Sequence, residues 1–273
     1  MFRNNRSMGG MFRSSNPAMN ESVFDRVGRS SSASTDVMTI NGSITKTAIL
    51  LAIAFITAAF AWDRFYPADS AQSGFGLLII CLIASIVAAM VTIFKPTAAP
   101  IIAPIYAAFE GVLLGIISAM YASSASSVDP QTGQQSAFGP GIVINAIMLT
   151  FGVLACMLIA YRSGLIRATE KFKIGVVAAT GAIALVYLAS IVMGFFGASI
   201  PMIHSSGPIG IGFSLIVVII ASLNLILDFD FIERGADYGA PKYMEWYGAF
   251  GLMVTLVWLY LEILRLLSKL NRR

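Results

Sequence analysis

Charge is scarce in this sequence: Asp, Glu, Lys and Arg make up 12% of its 273 residues, where an ordinary soluble domain carries roughly 25%. With 57% hydrophobic residues and a mean hydropathy of +0.80, too little polar surface remains to cover a fold in water. This excludes a soluble globular protein and makes the bilayer the solvent. Histidine and cysteine are scarcer still. One His and two Cys cannot furnish a metal centre of the usual His and Cys kind. Cys81 and Cys156 each fall inside an apolar run, where they read as small buried hydrophobes rather than a disulfide. His204 opens a His204-Ser205-Ser206 string that lacks a membrane-embedded nucleophile on a supporting turn, so the chain is read as no enzyme and as needing no cofactor. No nucleotide loop and no repeat is visible, and no apolar stretch with a small-residue cleavage site marks a cleaved leader in residues 1–43.

What is present is a series of long apolar runs, at 47–62, 75–94, 101–122, 141–161, 174–197, 209–227 and 244–267. A helix needs about 20 apolar residues to cross the hydrocarbon core, and the first run reaches that length if Lys46 snorkels. The expected fold is therefore an all-α integral membrane protein with seven transmembrane helices. Residues 44–273 form the transmembrane domain, and the Ser- and Asn-rich residues 1–43 form a disordered tail with a short amphipathic turn at 20–27. The Ser-, Gln- and Gly-rich stretch 123–140 reads as an external loop.

Thirteen of the eighteen Lys and Arg lie in the tail and the even-numbered loops, against Arg64 alone in the opposite loops. The positive-inside rule then places the N-terminus in the cytoplasm and the chain in the cell (cytoplasmic) membrane. The net charge of +4 is accordingly a matter of topology and anionic lipid, not of nucleic acid. Arg265, Lys269, Arg272 and Arg273 run against this pattern, since a seventh crossing sends them outside. A re-entrant last segment would keep them in, but the unbroken final run favours a crossing.

Acids inside a membrane cost at least a few kcal/mol, which makes each a candidate functional group. Glu110 sits near the middle of the third run, ahead of a Gly111-x-x-x-Gly115 spacing that admits a close helix neighbour. It reads either as a cation ligand or as a neutral acid hydrogen-bonded to another helix. Asp228 closes the sixth run with Asn224 one turn above it. The negative end of the helix dipole and partial burial would there favour the neutral acid, making Asp228 a proton switch, or else a solvated helix end beside Asp230, Glu233 and Arg234. Glu262 has Arg265 three residues on, the spacing of an interfacial salt bridge, while Gly248, Thr255 and Glu262 share the face of a helix enclosed by others. Clustered carboxylates could hold a hard cation such as calcium, with Asp228 and Glu110 the candidate ligands.

The strings FEGVLLG at 109–115, LILDFDFI at 225–232 and WLYLEILRLL at 258–267 resemble those of bacterial Bax inhibitor-1/YccA-type membrane proteins, over 44–267. The resemblance implies a last helix held centrally between two three-helix layers. It also implies a calcium leak gated by a pH-sensitive pair of aspartates on the sixth and seventh helices. Asp228 matches the first; Thr255 stands at the second, leaving Glu110, Asp230, Glu245 and Glu262 as candidate partners. The leading expectation is a membrane cation leak, a pH-sensitive calcium channel gated by intramembrane carboxylates, passing calcium or protons. The alternative is a regulator that binds another membrane protein, such as a quality-control protease.

Overall fold

The structure, a computed structural model, describes residues 37–66, 71–125, 138–197 and 206–271. The expected amphipathic turn at 20–27, most of the loop 123–140, His204, Arg272 and Arg273 lie outside the described residues. Among the described residues seven α-helices follow in order: α1 Ile40–Phe65, α2 Ala71–Phe94, α3 Ala99–Ala125, α4 Phe138–Arg162, α5 Glu170–Phe195, α6 Pro208–Asp237 and α7 Met244–Asn271. All seven are long and apolar enough to cross a membrane. Among the described residues the only non-helical pairing is an isolated bridge between Val37 and Pro241.

Local chemistry sets the helix ends. Thr39 caps α1, its hydroxyl accepting from Gly42 N, and Thr169 caps α5 in the same way from Phe172 N. These contacts satisfy amide groups that a first helical turn leaves open. The cap at Thr39 starts α1 upstream of its apolar run, so α1 has 26 residues and is about 39 Å long. A 3-10 turn, Pro96–Ala98, redirects the chain between α2 and α3. α6 ends in a turn where Gly239 takes φ +64°, a conformation costly for residues with a Cβ.

The last helix is the axis. In its apolar stretch 67% of residues are buried, against 11% in α5. α7 packs on α1, α3, α4 and α6, whereas α2 rests chiefly on α3 and α5 on α6. The result is the expected pair of layers, α1–α3 and α4–α6, with α7 between them. Tyr106 of α3 meets Phe250 of α7 edge to face, 5.0 Å between centroids, and Ser118 meets the Tyr260 hydroxyl at 2.6 Å. Lipid tails are as apolar as Leu, so such specific contacts and close approach hold membrane helices together.

Gly111 and Gly115 lie where another helix comes close. A methyl added at Gly111 would lie 2.7 Å from Ala54 Cα, and one at Gly115 would lie 2.8 Å from Ala61 Cβ. The neighbour that the glycine spacing admits is thus α1, running parallel to α3.

Candidate functional site

Polar side chains gather at five places in the bundle. One centres on Asp228, which is 1% exposed. α6 continues past it to Asp237, so Asp228 stands more than two turns inside the helix. This corrects the helix-end position expected from the apolar run. The dipole effect fades within the last turn and has no hold on this residue, and the solvated-cap alternative falls with it. Asn224, on the same helix, donates from Nδ2 to Thr180 Oγ1 of α5 at 2.8 Å and to Ile220 O at 2.9 Å. Thr255 is buried in α7, its hydroxyl reaching back to Gly251 O at 3.4 Å.

In the extra turns of α6 the charge of Asp230 is matched. Asp230 accepts from Lys173 of α5 at 2.8 Å and from Arg234 at 3.0 Å, while Glu170 lies 3.6 Å from Lys173. Tyr161 of α4 donates to Glu233. Asp230 is therefore part of a neutral ion-pair network joining α5 to α6. Lys173, counted in sequence among loop cations, is buried in it at 5% exposure.

Glu110 is buried between helices of the first layer. Ser85 of α2, whose hydroxyl donates to Leu82 O at 3.2 Å, is a near neighbour, with Cys81 and Tyr106 close by. Since α2 rests chiefly on α3, the carboxyl is not brought beside Asp228, which sits in the other layer. Among the described residues no group of three or more His, Cys, Asp or Glu side chains is placed to hold a metal ion. Cys81 and Cys156 are both free thiols; Cys81 is buried as expected, whereas Cys156 is exposed on the bundle surface.

Toward the C-terminal end of α7, Glu262 forms the expected pair with Arg265, 3.0 Å apart. Tyr187 of α5 completes a triangle, donating to Glu262 Oε1 at 2.7 Å and accepting from Arg265 Nη1 at 2.7 Å. Lys269 is buried one turn on and donates to Gly210 O at 2.9 Å and Ser214 Oγ at 2.8 Å of α6. Gly248, on the stripe it shares with Thr255 and Glu262, faces Ile232 of α6, so the stripe is enclosed as its composition suggests.

At the other end, Glu245 is 2% exposed. It accepts from Thr39 N at 3.1 Å and Thr39 Oγ1 at 2.9 Å, directly over Gly42. Met38 N donates to Ala240 O at 2.7 Å, and Lys46 lies 5.2 Å over the Trp246 ring. The start of α1 is thereby stitched to the start of α7. Sequence reasoning missed Tyr187, Lys173, Lys269 and this role of Glu245. For Lys173, Lys269 and Glu245 the available signal was their place at the ends of apolar runs, where a polar group can turn inward as readily as outward; Tyr187, in the middle of a run, gave none.

A seven-helix membrane bundle with a central last helix and a buried acid on its sixth helix is the class of protein these features define. The sequence profile of the Bax inhibitor 1 like family matches residues 16–272, and the chain belongs to that family. Searches of curated proteins and of solved structures returned no match.

Proposed function

We propose that the protein is a cation leak of the cell membrane, a calcium channel closed by protons, in which Asp228 is the titrating group. The observation that carries this reading is a carboxyl 1% exposed and more than two turns inside a membrane-crossing helix. An ionised carboxyl buried away from water is costly, so the neutral acid suits the closed state. Loss of the proton creates a charge that draws in water and a hard cation. The oxygen atoms of Asn224 and Thr255, on the two helices that pack together there, are the further ligands such a cation favours. The end of the bundle bearing Lys95, Arg162, Arg167 and Lys242 faces the cytoplasm in this reading, as the Lys and Arg bias suggests.

The test is calcium entry into proteoliposomes that contain the purified full-length protein, followed with an enclosed indicator between pH 6 and pH 8. Entry is expected to rise with pH, and Asp228→Asn is expected to flatten the profile without unfolding the bundle. An unchanged profile in Asp228→Asn removes the residue from the mechanism. Absence of entry at every pH rejects conduction and leaves the regulator of another membrane protein as the reading.

A further inference from the structure

Between the two layers lies a cleft of about 540 Å³, walled by α1, α3 and α4, with α7 as its floor. α1 packs on α3 and α7, and α4 packs on α3, α6 and α7; the cleft occupies the angle left between α1 and α4. Its volume is that of a ligand site.

Its chemistry is that of hydrocarbon. The hydroxyls on its wall are turned to protein partners, Ser118 to Tyr260 at 2.6 Å and Thr150 to Ala146 O at 2.7 Å. What remains is aliphatic and aromatic surface, including Ala52, Ala59 and Leu256. Such a space gives water too few polar partners, and leaving it empty forfeits the dispersion contacts of every atom that lines it.

Its length selects the occupant. Along α1 the lining runs from Leu51 to Trp62, about 16 Å at 1.5 Å per residue. That is about half of a hydrocarbon core about 30 Å thick, one leaflet. At the outer end Trp62 stacks on Tyr66, centroids 4.5 Å apart, the kind of aromatic pair that marks the level of lipid headgroups. At the rim Phe55 and Phe151 are exposed, so the cleft is continuous with the lipid-facing surface.

We propose that this cleft binds one acyl chain of a phospholipid, which enters between α1 and α4 in the leaflet toward Phe65 and lies against α7. The chain fills the gap between the layers, so the lipid is a structural ligand of the central helix. This inference stands whether or not the protein conducts calcium.

The full-length protein, purified in mild detergent and given 1-palmitoyl-2-oleoyl phosphatidylglycerol, is released from micelles in a mass spectrometer. The wild-type chain is expected to retain one phospholipid. Ala59→Phe, which fills the cleft, is expected to lower the retained fraction about tenfold, while Leu185→Phe on the exposed face of α5 leaves it unchanged. A second measurement uses no cleft substitution. In a chain carrying Trp246→Phe and Trp258→Phe, phospholipid with brominated acyl chains should quench Trp62 and saturate at one lipid per protein. Retention that is absent, or equal in Ala59→Phe and wild type, overturns the proposal. So does quenching that climbs with lipid and never saturates.

Discussion

The same substitution, glycine to alanine, should move stability in opposite directions at two places in this bundle. In a helix interior Ala is favoured over Gly by about 1 kcal/mol through backbone entropy. At Gly181, where an added methyl meets nothing within 4 Å, that gain is expected nearly whole. At Gly111 the methyl would run into the Thr57 hydroxyl and the Ala54 carbonyl oxygen and would lie 2.7 Å from Ala54 Cα, where 3.4–4 Å is an ordinary contact. The Ala54 obstacle is backbone, so no rotamer change relieves it, and α1 must move away from α3 by roughly the shortfall. Overpacking of this kind costs about 1–3 kcal/mol, which exceeds the propensity gain over most of its range. At about 2–4 °C per kcal/mol for a chain of this size, Gly181→Ala should raise the midpoint of thermal unfolding in detergent by a few degrees. Gly111→Ala should lower it by up to about 8 °C. Scanning fluorimetry on the two purified variants decides the matter. If Gly111→Ala is as stable as Gly181→Ala, the parallel contact between α1 and α3 is not as close as described.

Other substitutions probe the ends of the bundle. Lys173→Met strips a buried partner from Asp230; removing one member of such a pair costs about 3–5 kcal/mol when fully buried. Arg234 stays in place, so a smaller loss is expected, and adding Asp230→Asn should restore part of it, a coupling that a double-mutant cycle in detergent measures. Glu245→Ala removes the acceptor of Thr39 N and Oγ1, and a lost cap costs about 1 kcal/mol. Hydrogen exchange should therefore speed up in the first turn of α1, whereas Glu245→Gln, which keeps one acceptor oxygen, should stay near wild type. A reporter fused after Arg273 should be active only outside the cytoplasm, as seven crossings require; cytoplasmic activity would reject that topology.

Much of the architecture was legible before folding, because bilayer thickness imposes a length that any sequence crossing it must show. The seven runs, the close-packing glycines and the Glu262–Arg265 pair are all local patterns, complete within about one turn or one span of chain. Hydropathy located the ends less well. Asp228 looked like the end of α6 because the apolar run stops there, yet the helix continues through Asp230 and Arg234 with Lys173 supplying the opposite charge from α5. A run of apolar residues reports where lipid is tolerated, whereas a helix ends where its backbone groups find other partners.

Sequence alone thus determined that the chain crosses a membrane seven times and that Gly111 and Gly115 receive a neighbour. That the neighbour is α1, that Glu110 lies in the first layer beside α2 and not beside Asp228, and that Lys173, Lys269 and Glu245 are buried were decided only by the tertiary structure. The reason is physical. Crossing a bilayer is a property of one segment in contact with lipid, and composition suffices to settle it. The pairing of helices gains little from burying apolar surface, because lipid offers the same surroundings, and so it rests on shape and on a few hydrogen bonds between residues as distant in sequence as Thr39 and Glu245.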